Sequence, residues 1–156
     1  MSSRFKISRL EQRLDSTFNR VPLPNSDIEL QSDFAKYLCI LVSGYLENAI
    51  IALIVYYSER RSAPEVASYV ERQLQRWTNP NTEKILQLFG AFSNDWRVKV
   101  EGFLIDYKKD SINSLVALRH QIAHGESVGT TMSQVKSYYS AAKEVVNFLA
   151  DLVDPR

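Results

Sequence analysis

The chain predicts an all-α fold, an up-and-down bundle of four main helices with one or two additional short helices, and three observations predict it. Apolar residues recur at three- and four-residue spacing almost throughout, as a 3.6-residue period demands. Capping residues and prolines punctuate the chain at intervals suited to helices, and no run alternates convincingly in the period of two that a strand requires. Of 156 residues, 45% are hydrophobic and only five are glycine and five proline, enough for one sizeable core with few breaks, so residues 1–156 are expected to form a single domain.

A first helix is expected from about Ser3 to Arg20, because Ile7, Leu10, Leu14 and Phe18 form one apolar stripe. The turn from Val21 to Asn25, with prolines at 22 and 24, ends it, and Ser26 with Glu29 forms a capping box for a long second helix reaching about Glu59. Ser62 as cap, with Pro64 and Glu65 in the first turn, starts a third helix near Ala63 to Trp77. Asn79 and Pro80 open a fourth, carrying Ile85, Leu88 and Phe89. From Gly90 to Lys109 the pattern is weaker, although Trp96, Val100, Phe103 and Leu104 suggest an inward-packing surface. From Asp106 or Asp110 a further helix carries Ile112, Leu115, Leu118 and Ile122 and should stop near His124, since Gly125 is suited to a left-handed C-cap. Thr131 with Gln134 caps a last helix to about Val153, whose apolar face is Val135, Tyr138, Ala142, Val145, Leu149 and Leu152.

Nineteen basic against eighteen acidic side chains leave a net charge of +1, so no overall basicity advertises a nucleic-acid partner and any such binding must come from a local patch. The best local patch is the line of Lys6, Arg9, Arg13 and Arg20 on the first helix, which reads either as a solvated face or as an RNA-binding one. The one cysteine, Cys39, lies in an apolar run and reads as a small core hydrophobe in a reducing compartment. The N-terminus opens into a charged amphipathic pattern without the apolar core of a secretory signal, so a cytoplasmic location is expected. Tyr37 to Tyr57 is long enough to span a bilayer, but Glu47 and Asn48 fall at its middle, where an ionisable group costs roughly 2.5 to 3.5 kcal/mol. A helix apolar on nearly all sides is also what a bundle centre or an oligomer interface needs, and no membrane is expected as a partner.

Both histidines, an arginine and the stop glycine fall within Leu118-Arg119-His120-Gln121-Ile122-Ala123-His124-Gly125, the most informative stretch of the chain. His120 and His124, four apart, project from one helix face. That spacing invites a metal, yet Gln121 stands where a zinc protease carries its glutamate, and no third ligand follows at useful spacing, so neither metal nor other cofactor is expected. An arginine, with fixed charge and a fork of donors, and a histidine, which exchanges protons near neutral pH, suit metal-free phosphodiester cleavage. Arg119 and His124 are five apart, about 140° around an ideal helix, so one undistorted helix does not aim both at one phosphate. The arrangement works if the last turn loosens at Gly125, or if two copies of the motif face each other across a two-fold axis, which predicts a homodimer. Glu47, a carboxylate amid apolar residues, needs a partner: Arg119 from the adjacent helix or a tyrosine hydroxyl. Tyr45, Asn48 and Tyr107 are candidates for lining a cleft, or packing and capping residues.

The same eight residues resemble the Arg-(four to six residues)-His signature of the HEPN superfamily of ribonucleases, here with four residues between Arg119 and His124, polar His120 directly after the arginine and an Ile-Ala-His-Gly ending. The position, at the end of a helix late in a helical bundle, is also the superfamily's, and the layout is similar to its RiboL-PSP-HEPN-like or related branches. The resemblance implies metal-independent endonucleolytic cleavage of RNA by a toxin or antiphage-defence effector, with a composite site at a homodimer interface and an antitoxin or other defence-system protein as partner. It implies Arg119 and His124 as the catalytic pair and His120 as the accompanying polar residue; Glu47, Asn48 and Tyr45 are supporting candidates on their own chemistry, not through the resemblance. The mechanism implied is attack of the ribose 2′-hydroxyl on the adjacent phosphate. Two other readings stay open: a non-catalytic HEPN-like module binding RNA, a nucleotide or a partner protein, and a purely structural or oligomerisation bundle in which Arg119 caps a helix end or pairs with Glu47 and the histidines are ordinary surface residues.

Overall fold

The computed structural model describes residues 2–20 and 27–156. Within them are seven helices and no strands: α1 (Ser3–Phe18), α2 (Ile28–Arg61), α3 (Pro64–Leu74), α4 (Thr82–Phe92), α5 (Asn94–Phe103), α6 (Asp106–Ala123) and α7 (Met132–Val153). The expected turn from Val21 to Asn25 and the cap at Ser26 lie outside the described residues. Three short helices, one more than expected, stand between the long ones, because the Ser93 hydroxyl accepts the Trp96 amide and starts α5 where the periodicity is weak.

Helix α2 organises the fold, packing against α1, α3, α6 and α7. Thirty-four residues long, it buries Leu38, Leu46, Ile50, Leu53 and Ile54 on faces that point in different directions, which explains its apolar circumference. It is long and apolar enough to cross a membrane, yet most of that stretch is buried inside the fold. One contiguous core draws side chains from all seven helices, including Ile7 and Leu14 of α1, Phe89 of α4, Val100 of α5, Ile112 and Leu115 of α6 and Val145 and Leu149 of α7. Helices α4 and α5 pack on each other, and Trp96 is wedged between Phe89 and Tyr57 with ring centroids 5.9 and 4.8 Å away.

The caps explain the boundaries. The Asp27 side chain accepts the Glu29 amide at the start of α2, and Asn81 rather than Asn79 caps α4, its oxygen accepting the Lys84 amide. Ser62 is not the cap of α3: it closes α2, its hydroxyl donating 2.6 Å back to the Ser58 carbonyl, and α3 starts after Ala63 with Pro64 in its first turn and no side-chain cap. Thr131 and Gln134 form the reciprocal capping box expected at α7. The chain ends are joined where Arg4 donates to the Asp151 carboxylate and the Asp154 carbonyl, so the start of α1 is tied to the end of α7.

Candidate functional site

Helix α6 ends in a Schellman motif. The Gly125 amide donates to the Ile122 carbonyl and the Glu126 amide to the Gln121 carbonyl, with Gly125 at φ +71°. The His124 amide still donates to the His120 carbonyl at 3.1 Å, so the helix keeps its α pitch up to His124 and loosens only beyond it. Of the two arrangements left open by the sequence, a last turn loosened at Gly125 or two copies across a two-fold axis, the first finds the helix loosening only from its His124 cap, φ −90° and ψ 10°. The regular pitch leaves them about 140° apart around the axis. It brings together the two imidazoles instead, with ring centroids 4.2 Å apart at 59°, both exposed at the helix end.

Arg119 is half-buried and turned toward the segment between α3 and α4, where its Nη1 donates to the Asn79 Oδ1 at 3.2 Å. Among the described residues no carboxylate lies within ion-pair distance of this guanidinium. Asn79 holds a left-handed backbone, φ 54°, a conformation that asparagine tolerates better than most residues, and its carbonyl accepts the Asn81 amide at 2.8 Å. The preceding residue, Thr78, donates its hydroxyl 3.4 Å to the Glu47 Oε2, and Lys84 donates to the Thr78 carbonyl.

The expected pairing of Glu47 with Arg119 is therefore indirect. Thr78 and Asn79 meet the two groups separately, so the carboxylate and the guanidinium are fixed to adjacent residues of one segment. Partial burial raises the Glu47 pKa above its usual range, opposed by the Thr78 hydrogen bond and by attraction to Arg119 and Lys84.

Asn48, next to Glu47 on α2, is exposed and lines a groove between α1, α2 and α3. Tyr45 is 3% exposed: its hydroxyl donates 2.7 Å to Glu11 and its ring meets Tyr139 edge-to-face, so it mainly fastens α1 to α2. Tyr107 is exposed and donates to Glu144 on α7. A cleft of about 520 Å³ between α4 and α6 is lined by His120, Asn79, Asn113 and Lys109. Its α4 wall is fixed where the Thr82 amide and hydroxyl both donate to the Asn113 side-chain oxygen at 3.0 Å. Among the described residues no group of three or more His, Cys, Asp or Glu side chains clusters as a metal would need.

Asn79 and Thr78 are the site residues that sequence reading missed. The Asn-Pro pair is visible only as a helix-start signal, and nothing in the sequence links it to an arginine forty positions on.

A family model described as RiboL-PSP-HEPN matches residues 6–154, nearly the whole chain. No curated protein and no solved structure matches it significantly.

Proposed function

The chain belongs to the RiboL-PSP-HEPN family, and on that premise we propose that it is a metal-independent endoribonuclease of the cytoplasm, acting as a toxin or antiphage-defence effector. One observation carries the reading: Arg119 is half-buried and held in place by a neutral amide, with no carboxylate in ion-pair reach among the described residues, so its charge stays available to a phosphate.

In the proposed reaction His124 takes the proton of the ribose 2′-hydroxyl as its oxygen attacks the adjacent phosphorus, and an imidazole returns a proton to the departing 5′-oxygen. The bond to the 5′-oxygen breaks, leaving a 2′,3′-cyclic phosphate and a 5′-hydroxyl. Arg119 binds the non-bridging oxygens and stabilises the charge that grows on them. His120, beside His124, is the polar companion that orients it or carries the second proton. The up-and-down packing of α1, α2, α6 and α7 as one domain over residues 1–156 is the frame we propose for this site. A two-fold pair of such chains supplies the arginine and the imidazoles from opposite copies, and an antitoxin or other defence-system protein restrains the activity.

The 140° separation within one chain favours a rival, a non-catalytic module that binds RNA, a nucleotide or a protein. One experiment separates the two. RNA incubated with purified protein in excess chelator should yield fragments with cyclic phosphate ends, and Arg119→Ala or His124→Ala should reduce cleavage by about 10²- to 10⁴-fold while the helical circular dichroism signal persists. An intact RNA pool with folded wild-type protein would remove the ribonuclease reading and leave the binding module.

A further inference from the structure

A groove of about 700 Å³ runs between α1, α2 and α3. Its α1 wall carries Lys6, Arg9 and Arg13, which spacings of three and four residues place on one helix face. All three are exposed, and among the described residues none has a carboxylate within ion-pair distance. The fourth member of that stripe, Arg20, turns back instead to donate to the Thr17 hydroxyl.

The facing walls differ in character. Helix α2 contributes Glu47 and Asn48, helix α3 contributes Glu71, and its C-cap contributes Gln75, so the carboxylates of the groove come from other elements than its cations. One lining residue is tied to the segment that holds Arg119. Glu47 accepts the Thr78 hydroxyl, and the next residue, Asn79, accepts from Arg119.

We propose that this groove is a binding site for single-stranded RNA, holding the ribose-phosphate backbone beside the linkage to be cut, with phosphates along Lys6, Arg9 and Arg13. The proposal rests on the ribonuclease reading for what happens to the bound strand. A rise of about 1.5 Å per residue sets these cations roughly 4.5 and 6 Å apart along the axis, the scale on which consecutive phosphates succeed one another in a strand. A cationic wall that tracks a backbone is the usual device for single strands. Asn48 and Gln75 across the groove carry both donors and acceptors, as an unpaired base edge requires. The near-neutral chain thus confines its grip on a polyanion to one wall.

The test is the salt dependence of binding of a fluorescent single-stranded oligoribonucleotide to the His124→Ala protein, which binds without turnover. For single strands each phosphate neutralised contributes about 0.7 to the slope of log affinity against log salt, so Lys6→Ala, Arg9→Ala and Arg13→Ala together should lower that slope by about 2. Arg9→Gln alone, the gentler change, should lower it by about 0.7. A matched triple at exposed cations outside the groove, Arg97→Ala, Lys99→Ala and Lys136→Ala, reaches the same net charge and should leave the slope unchanged. If the groove triple binds like the matched triple, or the His124→Ala protein binds no RNA, the proposal is overturned. Cleavage by the wild type with a slope indifferent to the α1 cations would sink the groove and spare the ribonuclease reading. A groove-dependent slope in a protein that never cuts RNA would do the reverse.

Discussion

An amide oxygen 3.2 Å from a guanidinium nitrogen restrains the charge without cancelling it, and that is what Asn79 does for Arg119. Its backbone, at φ 54°, sits where glycine is at ease and alanine is strained, which separates side chain from backbone in a single pair of variants. Asn79→Gly keeps the backbone and deletes the acceptor, so it should fold with nearly wild-type thermal stability yet cut RNA about ten- to a hundredfold more slowly. Those factors follow from the roughly 1.5 to 3 kcal/mol that a hydrogen bond to a charged group contributes. Asn79→Ala should add a loss of stability of about 1 to 2 kcal/mol from the strained conformation. Under the proposed mechanism Asn79 positions Arg119 for charge that develops during the reaction, so kcat should fall while KM stays near its wild-type value. A fall confined to KM would mean that Asn79 serves ground-state binding alone. Neither Asn79 nor Thr78 is legible in the sequence as a site residue, because the bond from Arg119 joins segments that only the packed helices bring together.

Helix ends, rather than helix interiors, set where the candidate groups point. The Schellman turn at Gly125 stops α6 at Ala123, with His124 as its C-cap, and leaves both imidazoles in solvent at the terminus. A Cβ added at Gly125 meets nothing within 4 Å, so Gly125→Ala carries the cost of a left-handed alanine and no clash. The expected loss is about 1 to 2 kcal/mol in chemical denaturation. A loss under 0.5 kcal/mol would show that the turn relaxes into another closure. Interiors and some ends were legible: the stripe of Ile112, Leu115, Leu118 and Ile122 does face the core, Gly125 does stop α6, and Thr131 with Gln134 does cap α7. Ser62 and Asn79 misled for one physical reason. A serine or asparagine at a junction between two helices serves equally to close the preceding element or to open the next, and the choice falls to tertiary packing. Ser62 bonds backward to Ser58, and Asn79 yields the cap of α4 to Asn81.

At the scale of the molecule, the all-helical class was legible because a 3.6-residue period persists through almost every segment, and the long apolar α2 marked the centre correctly since it has neighbours on many sides. What no periodicity encodes is whether one chain holds a complete site. The unbroken pitch from Arg119 to His124 makes that a question of assembly, and mixing two inactive variants answers it. Suppose each site of a two-fold pair takes its arginine from one copy and its histidine from the other. A pair formed by one Arg119→Ala chain and one His124→Ala chain then concentrates both lesions in one site and leaves the other intact. Random pairing of equal amounts makes half of all dimers mixed, each with one working site of two, so cleavage should return to about a quarter of wild type. If both groups act from the same chain, every site in the mixed pair carries one lesion and the mixture stays as inactive as its components. Co-expression of the two variants, with RNA cleavage measured on the purified mixture, reads the difference directly, and silence in a mixture shown to be dimeric would overturn the site shared across the two-fold.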